Sequence, residues 1–461
     1  MKKFLLTTIS LIIFSCMLSL LAYSIDTIEG TWLGTLRFNG TELRIVFNIS
    51  KKFVDRKLVA TIDSPDQGVK NIKVEVITFE KDQLVIISNS IKGMFEGKVK
   101  EDYTIEGNWK QAGMTIPLVL KRIKEIPEIV RPQEPKGPYP YKEEEVLYEN
   151  KKDNIKLSGT LTLPQKGNKF PCVILITGSG PQDRNEMIFN HKPFLIIADY
   201  LTRQGISVLR FDDRGVGKST GDFFKATTED FAHDVIASIE YLKTRSEIDP
   251  KKIGLIGHSE GGIIASMVAS QSNDVNFIVM LAGTGLTGEE ILYLQSALIL
   301  KTEGRSDEEI NKNRELQKRI FKVVLEEKDN FLAEKKLREI LSKEGIPHEG
   351  IDVKVKNLLS PWFKFFLSYD PKIALTKVKC PVLAINGEKD LQVPSKENLK
   401  SIEEALKIGG NKNYYIKELP DLNHLFQTCK TGSPSEYYKI EETFSPLALK
   451  IISDWILVQT K

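Results

Sequence analysis

The stretch Ile253-Gly-Leu-Ile-Gly-His-Ser-Glu-Gly-Gly-Ile-Ile-Ala-Ser-Met-Val-Ala269 decides how the chain is read. A short apolar run over 253–256 is followed by a glycine-flanked serine and then by a segment of helical character. That order is strand, sharp turn, helix. A serine held on such a turn occupies a sparsely populated backbone region, projects its hydroxyl above the sheet edge and stands at a helix N-terminus. Gly257 and Gly261 let strand and helix approach without side-chain clash. A serine before a helix is most often a plain N-cap. Here the preceding strand and the third glycine, Gly262, favour a nucleophile at Ser259.

A serine hydroxyl is a poor nucleophile near neutral pH unless a base accepts its proton and a carboxylate orients that base. The chain offers five histidines. His258 points away on the turn and His233 sits in the helix-like residues 230–236; both read as helix-surface or packing residues. His348 belongs to a charged helical insertion, and His191 follows an early strand, placed to line a pocket. His424 follows the strand-like residues 414–419 in the loop Pro420-Asp-Leu-Asn-His424 and is selected as the base over a solvated loop histidine. The carboxylate comes from Pro381-Val-Leu-Ala-Ile-Asn-Gly-Glu-Lys-Asp390, just past a buried-looking strand. Asp390 is the choice, with Glu388 and Asp421 as fallbacks; the competing role for Asp390 is to cap the helix-like 395–400 region. The order Ser259, Asp390, His424 is the one found on α/β-hydrolase sheets.

Attack on an acyl carbonyl builds negative charge on its oxygen, which needs fixed N–H donors; losing one costs about 3 kcal/mol of transition-state stabilisation. The N–H of Glu260, directly after the nucleophile, is one donor. The strand-like residues 173–177 lead into Gly178-Ser179-Gly180-Pro181, which supplies the second: Ser179 N–H, with Gly180 as the alternative. The competing reading there is an ordinary Gly-Pro turn.

With 461 residues the chain has room for two or three domains. A net charge of +3 gives no case for nucleic-acid or anionic-membrane binding. Residues 1–24 have the basic start, apolar run and small residues of a cleaved export signal, so the chain is expected outside the cytoplasm, in the periplasm, at the cell surface or beyond. A lipoprotein signal ending at Cys16 and an uncleaved anchor are the rivals; no later run is apolar enough to span a bilayer. Beyond that segment Cys172, Cys380 and Cys429 remain, an odd count that makes no disulfide scaffold; Cys172 and Cys380 read as small packing residues.

Residues 27–124 alternate in strand fashion, with an Asn39-Gly40 hairpin turn, and predict a separate antiparallel β domain, a small barrel or curved sheet. Glu29-Gly-Thr-Trp32 is echoed by Glu106-Gly-Asn-Trp109, whose tryptophans read as core plugs rather than a ligand platform. A proline-rich linker over 125–144 follows. From 145 to 461, strand-like and helix-like stretches alternate, which predicts a mostly parallel sheet with helices on both faces. Between about 285 and 372 the rhythm gives way to charged helical text, predicted to be a helical cap above the nucleophile. Its aromatic run 361–366 is either an acyl-pocket wall or cap core.

Together, Gly178-Ser-Gly-Pro-Gln-Asp-Arg184, Phe211-Asp-Asp-Arg-Gly-Val-Gly-Lys-Ser-Thr-Gly221, Gly257-His-Ser-Glu-Gly-Gly262 and the contexts of Asp390 and His424 resemble bacterial α/β-hydrolases, esterases of the carboxylesterase or serine aminopeptidase-like kind. The resemblance spans roughly 145–461. It implies that the loop with Arg214, Gly215 and Gly217 shapes the wall beside the nucleophile; Arg214 itself reads as structural. Many lipases carry His-Gly where this chain has Thr177-Gly178. The function expected is an exported serine hydrolase of small to medium acyl esters, with a small-molecule ester as partner and neither cofactor nor metal. The alternatives are an aminopeptidase or amidase with the same triad, and a surface ligand-binding protein on a passive hydrolase scaffold.

Overall fold

Alternation of apolar and polar side chains, sustained over short stretches, builds the first half of the fold, and buried apolar runs build the second. The computed structural model describes residues 28–38, 41–52, 56–101, 104–111, 113–126, 131–346 and 348–461. The expected signal segment 1–24, Cys16 and the Asn39-Gly40 turn lie outside them. Two units divide the chain, 1–128 and 129–461.

The first unit is a single antiparallel sheet of β1 (Gly30–Phe38), β2 (Thr41–Lys51), β3 (Leu58–Ser64), β4 (Val69–Lys73), β5 (Val76–Glu80), β6 (Gln83–Ser88), β7 (Gly93–Val99), β8 (Thr104–Gln111) and β9 (Met114–Ile123). Its order is β4-β3-β2-β1-β9-β8-β7-β6-β5. One face buries Trp32, Phe47, Phe95 and Trp109. Both indole N–H groups are satisfied internally, Trp32 on the Ile28 carbonyl at 2.9 Å and Trp109 on Gln111 at 3.1 Å. Of the two expected forms, a small barrel or a curved sheet, the open one is found, a half-barrel: β4 and β5 follow each other in the chain, yet no ladder joins them among the described residues. The reason lies in the edges. Both strands are largely exposed, β4 carries Lys70 and Lys73, and β3 pairs with β4 through a register shift between Ile62 and Ser64.

The second unit opens earlier than its alternation suggests. Residues 131–140 are tied to this unit rather than spanning as a free spacer: Arg131 donates to the carbonyls of Ile440 and Phe189, and Gln133 bonds the backbone of Thr443 and Phe444. Strand β10 (Tyr141–Asn150) then pairs antiparallel along its length with β11 (Ile155–Pro164). Next come β12 (Phe170–Ile176), α1 (Pro193–Arg203), β13 (Ser207–Phe211), α2 (Thr228–Lys243), β14 (Ile248–His258), α3 (Glu260–Gln271) and β15 (Phe277–Leu281). Five helices and a short turn of helix follow: α4 (Gly288–Thr302), α5 (Asp307–Glu326), α6 (Asn330–Lys343), α7 (His348–Leu358), α8 (Pro361–Ser368) and α9 (Lys372–Leu375). Finally come β16 (Val382–Gly387), α10 (Ser395–Ile408), β17 (Tyr414–Leu419) and α11 (Pro446–Gln459).

The sheet order is β10-β11-β13-β12-β14-β15-β16-β17, parallel from β13 onward. Strand periodicity sends Cys172, Ile174 and Ile176 to one face, where they pack with α2, α3 and α10. Val173 and Leu175 go to the other, against α1 and α11. The chain leaves β12 for β13 and returns on the other side as β14. Such a reversal of strand order opens a crevice at the carboxyl ends of the strands.

Helix starts in the insertion are written locally. Thr287 with Glu290 and Ser306 with Glu309 form reciprocal capping boxes at α4 and α5. The insertion has its own core of Ile320, Phe321, Val324, Leu337, Leu341, Ile351, Val355 and Leu367. No helix among the described residues is long and apolar enough to cross a membrane.

Candidate active site

Ser259 has φ 53° and ψ −118°, a backbone conformation that non-glycine residues hold at a cost of about 1–3 kcal/mol. The surroundings over-determine it. Its N–H donates to the Leu281 carbonyl of neighbouring β15 at 2.8 Å, and its carbonyl accepts from Gly262 N–H at 3.0 Å. The flanking glycines are obligatory on steric grounds: a Cβ at 257 would lie 2.0 Å from the Gly261 carbonyl oxygen, and one at 261 would lie 2.3 Å from that of Ile176.

Asp390 follows the carboxyl end of β16, and His424 that of β17. Asp390 Oδ2 accepts from His424 Nδ1 at 2.8 Å, while Oδ1 takes the backbone N–H groups of Gln392 and Val393, both at 2.8 Å. Those two bonds fix the carboxylate, and the carboxylate fixes the ring, leaving Nε2 as the free nitrogen. Both side chains are buried. Glu388 and Asp421 are turned elsewhere: Glu388 accepts from Asp421 N–H, and Asp421 pairs with Lys389 at 2.7 Å. Ser259 and His424 line the same cavity, of about 170 Å³, together with Gly178, Ser179 and Glu260.

Ser179 makes no hydrogen bond among the described residues, and Glu260 opens α3, where the first N–H groups lack intrahelical acceptors. Gly178 N–H, by contrast, is engaged by Glu186 at 2.7 Å. Gly180 turns the loop at φ +97°. Two aspartates after β13 hold this loop: Asp213 accepts from Thr177 Oγ1 at 2.7 Å and Gln182 N–H at 2.9 Å, and Asp212 pairs with Arg184 at 2.8 Å. Arg214 faces away, bridging Asp234 and Asp153.

Sequence reasoning missed one buried pair. His258 donates through Nδ1 to Glu186 at 2.9 Å and through Nε2 to the His424 carbonyl at 2.9 Å. With an acceptor on each nitrogen the ring suits its doubly protonated form. Burial works against that charge, but the Glu186 carboxylate overrides it and raises the His258 pKa. Glu186 thus joins the Gly178 loop, the nucleophile turn and the His424 loop. His191 does not line the pocket it was expected to line. It is fully buried against Thr443, the Tyr437 carbonyl and Gln427, and burial, helped by the Arg131 charge, depresses its pKa to about 4. His348 is exposed on α7, and His233 lies beside Asp153 and Asp230. That trio has metal-ligand spacing, yet Arg214 already neutralises Asp153 and Lys152 sits against His233.

The insertion supplies the remaining wall through Ile291, Leu292, Gln295, Trp362 and Phe366. The aromatic run divides between its two expected roles. Trp362 stacks on Phe366 at 5.3 Å facing the cavity, whereas Phe363 packs on Phe321 in the insertion's core. Trp362 Nε1 also donates to Glu260 Oε1 at 2.8 Å. The Glu260 carboxyl is buried, and desolvation, against the pull of Thr228 and Trp362, pushes its pKa up to about 7.

Residues 192–325 match the family described as serine aminopeptidase, S33, a span that holds Ser259. Esterase EstD of Thermotoga maritima is 26% identical over 349 residues, covering 74% of this chain and 73% of its own. The bifunctional esterase/perhydrolase DCH of Acinetobacter calcoaceticus is 26% identical over 50% of this chain and 83% of its own. Among solved structures, Est1E of Butyrivibrio proteoclasticus with bound ferulic acid is 17% identical, with a TM-score of 0.40 over 68% of this chain and 99% of that one. Sheet order, the strained serine turn between β14 and α3, and these sequence matches agree: the second unit has the α/β-hydrolase arrangement, and the chain is similar to esterases and to the serine aminopeptidase family.

Proposed function

We propose that the protein is a serine hydrolase that cleaves carboxylic esters of small to medium acyl groups through an acyl-enzyme. Ser259 Oγ attacks the carbonyl carbon and passes its proton to His424 Nε2. The N–H groups of Glu260 and Ser179 meet the negative oxygen. As the tetrahedral species collapses, the alkoxide leaves with the proton from His424. Water then attacks the acyl-enzyme, with His424 as base, and releases the acid and free Ser259. Asp390 holds the imidazole tautomer and stabilises the imidazolium.

The observation that carries this reading is one arrangement: a strained serine and a histidine line one cavity, and that histidine is bonded at 2.8 Å to a carboxylate itself fixed by two backbone N–H groups. The ester part is supported by the relatives named as esterases. Helices α4–α9 act as a cap, and the small cavity beneath Trp362 and Phe366 limits the acyl chain. We place the protein outside the cytoplasm on the character of residues 1–24; cell fractionation with N-terminal sequencing of the mature chain checks that.

The test of activity is a hydrolysis profile over p-nitrophenyl ester chain length for the wild type and Ser259→Ala, with fluorophosphonate labelling alongside. The expected result is a maximum at short to medium chains, labelling of the wild type alone, and loss of turnover in the variant. Preference for aminoacyl p-nitroanilides over p-nitrophenyl butyrate overturns the ester assignment, and turnover retained by Ser259→Ala overturns the mechanism.

A further inference from the structure

The mechanism above uses the backbone of Glu260 and leaves its side chain without a role. That side chain is unusual for its position. It is 3% exposed and lines the cavity that holds Ser259 and His424. Both of its hydrogen bonds fall on one oxygen: Oε1 accepts from Thr228 Oγ1 at 2.7 Å and from Trp362 Nε1 at 2.8 Å. Oε2 has no partner among the described residues and is not one of the sealed, unbonded buried atoms, so it opens onto the cavity. A carboxylate in a confined apolar site, with one oxygen pinned and one vacant, is a hydrogen-bond acceptor waiting for a donor.

The cation on the cavity wall, His258, has both ring nitrogens engaged, by Glu186 and by the His424 carbonyl. Among the described residues no lysine or arginine lines the cavity, and Glu186, the other carboxylate there, has its charge paired with His258, whereas Glu260 has no cationic partner. A charged donor for it comes from the substrate. Its place is set by the chain itself, because the N–H that faces the carbonyl oxygen and the carboxylate that faces the vacant space belong to one residue. The group read by Oε2 must lie beside the scissile carbonyl. We propose, building on the ester-hydrolase reading of this site, that Glu260 makes the enzyme selective for esters whose acyl group carries an amino or hydroxyl donor next to the carbonyl. An ammonium gains most, since it also neutralises the buried charge. Trp362 holds Oε1 in place, so the helix that walls the cavity also aims the carboxylate.

The probes are ethyl propionate, ethyl lactate and ethyl alaninate, which differ chiefly in the substituent beside the carbonyl, followed by pH-stat for the wild type and Glu260→Gln. The quantity read is the ratio of kcat/KM values within each protein, so a general loss of rate divides out, and comparison between proteins cancels the esters' intrinsic reactivities. In Glu260→Gln the amide oxygen keeps the Thr228 and Trp362 bonds and an NH₂ replaces Oε2, presenting donor to donor. The alaninate/propionate ratio is expected to fall at least ~10-fold and the lactate/propionate ratio about 3-fold. A merely structural Glu260 would scale all three substrates alike, and flat ratios overturn the proposal.

A second reading needs no variant. In the wild type the alaninate/propionate ratio rises between about pH 6 and 7.5, as Glu260 ionises while an α-amino group of pKa ~7.7–8.0 keeps its proton. The other titratable groups near Glu260 are Glu186, His258 and His424 on the cavity wall and the buried Asp213. The lactate/propionate ratio, measured in parallel, reports what they contribute without a substrate charge. A ratio that does not rise overturns the proposal. Ser259-dependent hydrolysis of ethyl propionate with unselective ratios leaves the ester-hydrolase reading standing and removes this one. No hydrolysis and no fluorophosphonate labelling removes both.

Discussion

The carboxyl-end rim of the parallel sheet and the helical insertion 288–375 meet at one cavity but are built on opposite principles. At the rim, positions are fixed by backbone: Ser259 and Ala282 hold positive φ, Asp390 is gripped by two amides, and glycines touch carbonyl oxygens. In the insertion, charged helices are started by local caps and packed around a small separate core, and only a few side chains reach the cavity. The difference teaches where tolerance lies. A rim residue has one allowed geometry, while an insertion residue has a neighbourhood, so in the proposed mechanism the rim carries the chemistry and the insertion tunes what enters.

The largest expected effect tests the rim. Asp390→Asn keeps the shape of the Oδ1 contacts but imposes the wrong imidazole tautomer on His424, and kcat for p-nitrophenyl butyrate should fall ~10⁴-fold. Ser259→Ala should fall further, on the order of 10⁵-fold or more. If Asp390→Asn stays within tenfold of the wild type, the rim is less rigidly specified than this comparison holds.

Next in size is a packing test. In Gly257→Ala the new methyl meets the Gly261 carbonyl oxygen at 2.0 Å, a backbone atom that cannot swing aside. The turn must open, so unfolding free energy should drop by more than ~3 kcal/mol, read by denaturant titration, and Ser259 should lose fluorophosphonate labelling. A stable, labelled Gly257→Ala would mean the strain at Ser259 is held by something other than this contact.

These rim positions were legible because each is a local string: apolar run, glycine, polar residue, loop. Ser259, Asp390 and His424 could each be found within ten residues of text, and chain order then linked them. What stayed hidden is contact across long separations. Glu186 and His258 are 72 residues apart, and Trp362 and Glu260 are 102 apart. No periodicity marks either pair. Strand β10 was hidden for another reason: its alternation is plain only from Val146, behind the charged and largely exposed run Lys142-Glu-Glu-Glu145. The half-barrel's open edge was likewise invisible, because a ladder that fails to form leaves no mark in the strands themselves.

The third prediction sharpens the contact between the two regions. The Glu260 pKa is raised from 4.5 to about 7 by burial, so the folded state prefers the neutral acid. A raised carboxyl pKa contributes stability that is present below about pH 4.5 and lost as pH climbs through 7. By pH 8 the ionised group should cost about 3 kcal/mol relative to an unburied one. Glutamine cannot ionise. Glu260→Gln should therefore gain stability on the wild type between pH 5 and pH 8, by up to ~3 kcal/mol across the window. A difference that stays flat with pH would show that the carboxylate is already well solvated or paired.

The smallest effect belongs to the insertion and is the control that the comparison needs. Gly304 follows α4 at φ +80°, with its N–H on the Lys301 carbonyl at 3.0 Å and open space where a Cβ would stand. Alanine there meets no atom, so the only penalty is the left-handed backbone, roughly 1–2 kcal/mol. The reduced freedom of the unfolded chain returns about 0.4–1 kcal/mol. Gly304→Ala should thus lose about 1 kcal/mol of stability and leave kcat/KM for p-nitrophenyl butyrate within twofold of the wild type. Two glycines, one methyl each, then separate the regions: at 257 the substitution breaks the chemistry, and at 304 it merely loosens a helix end. If Gly304→Ala also abolishes turnover, the insertion is mechanically part of the rim and the distinction between chemistry and tuning falls.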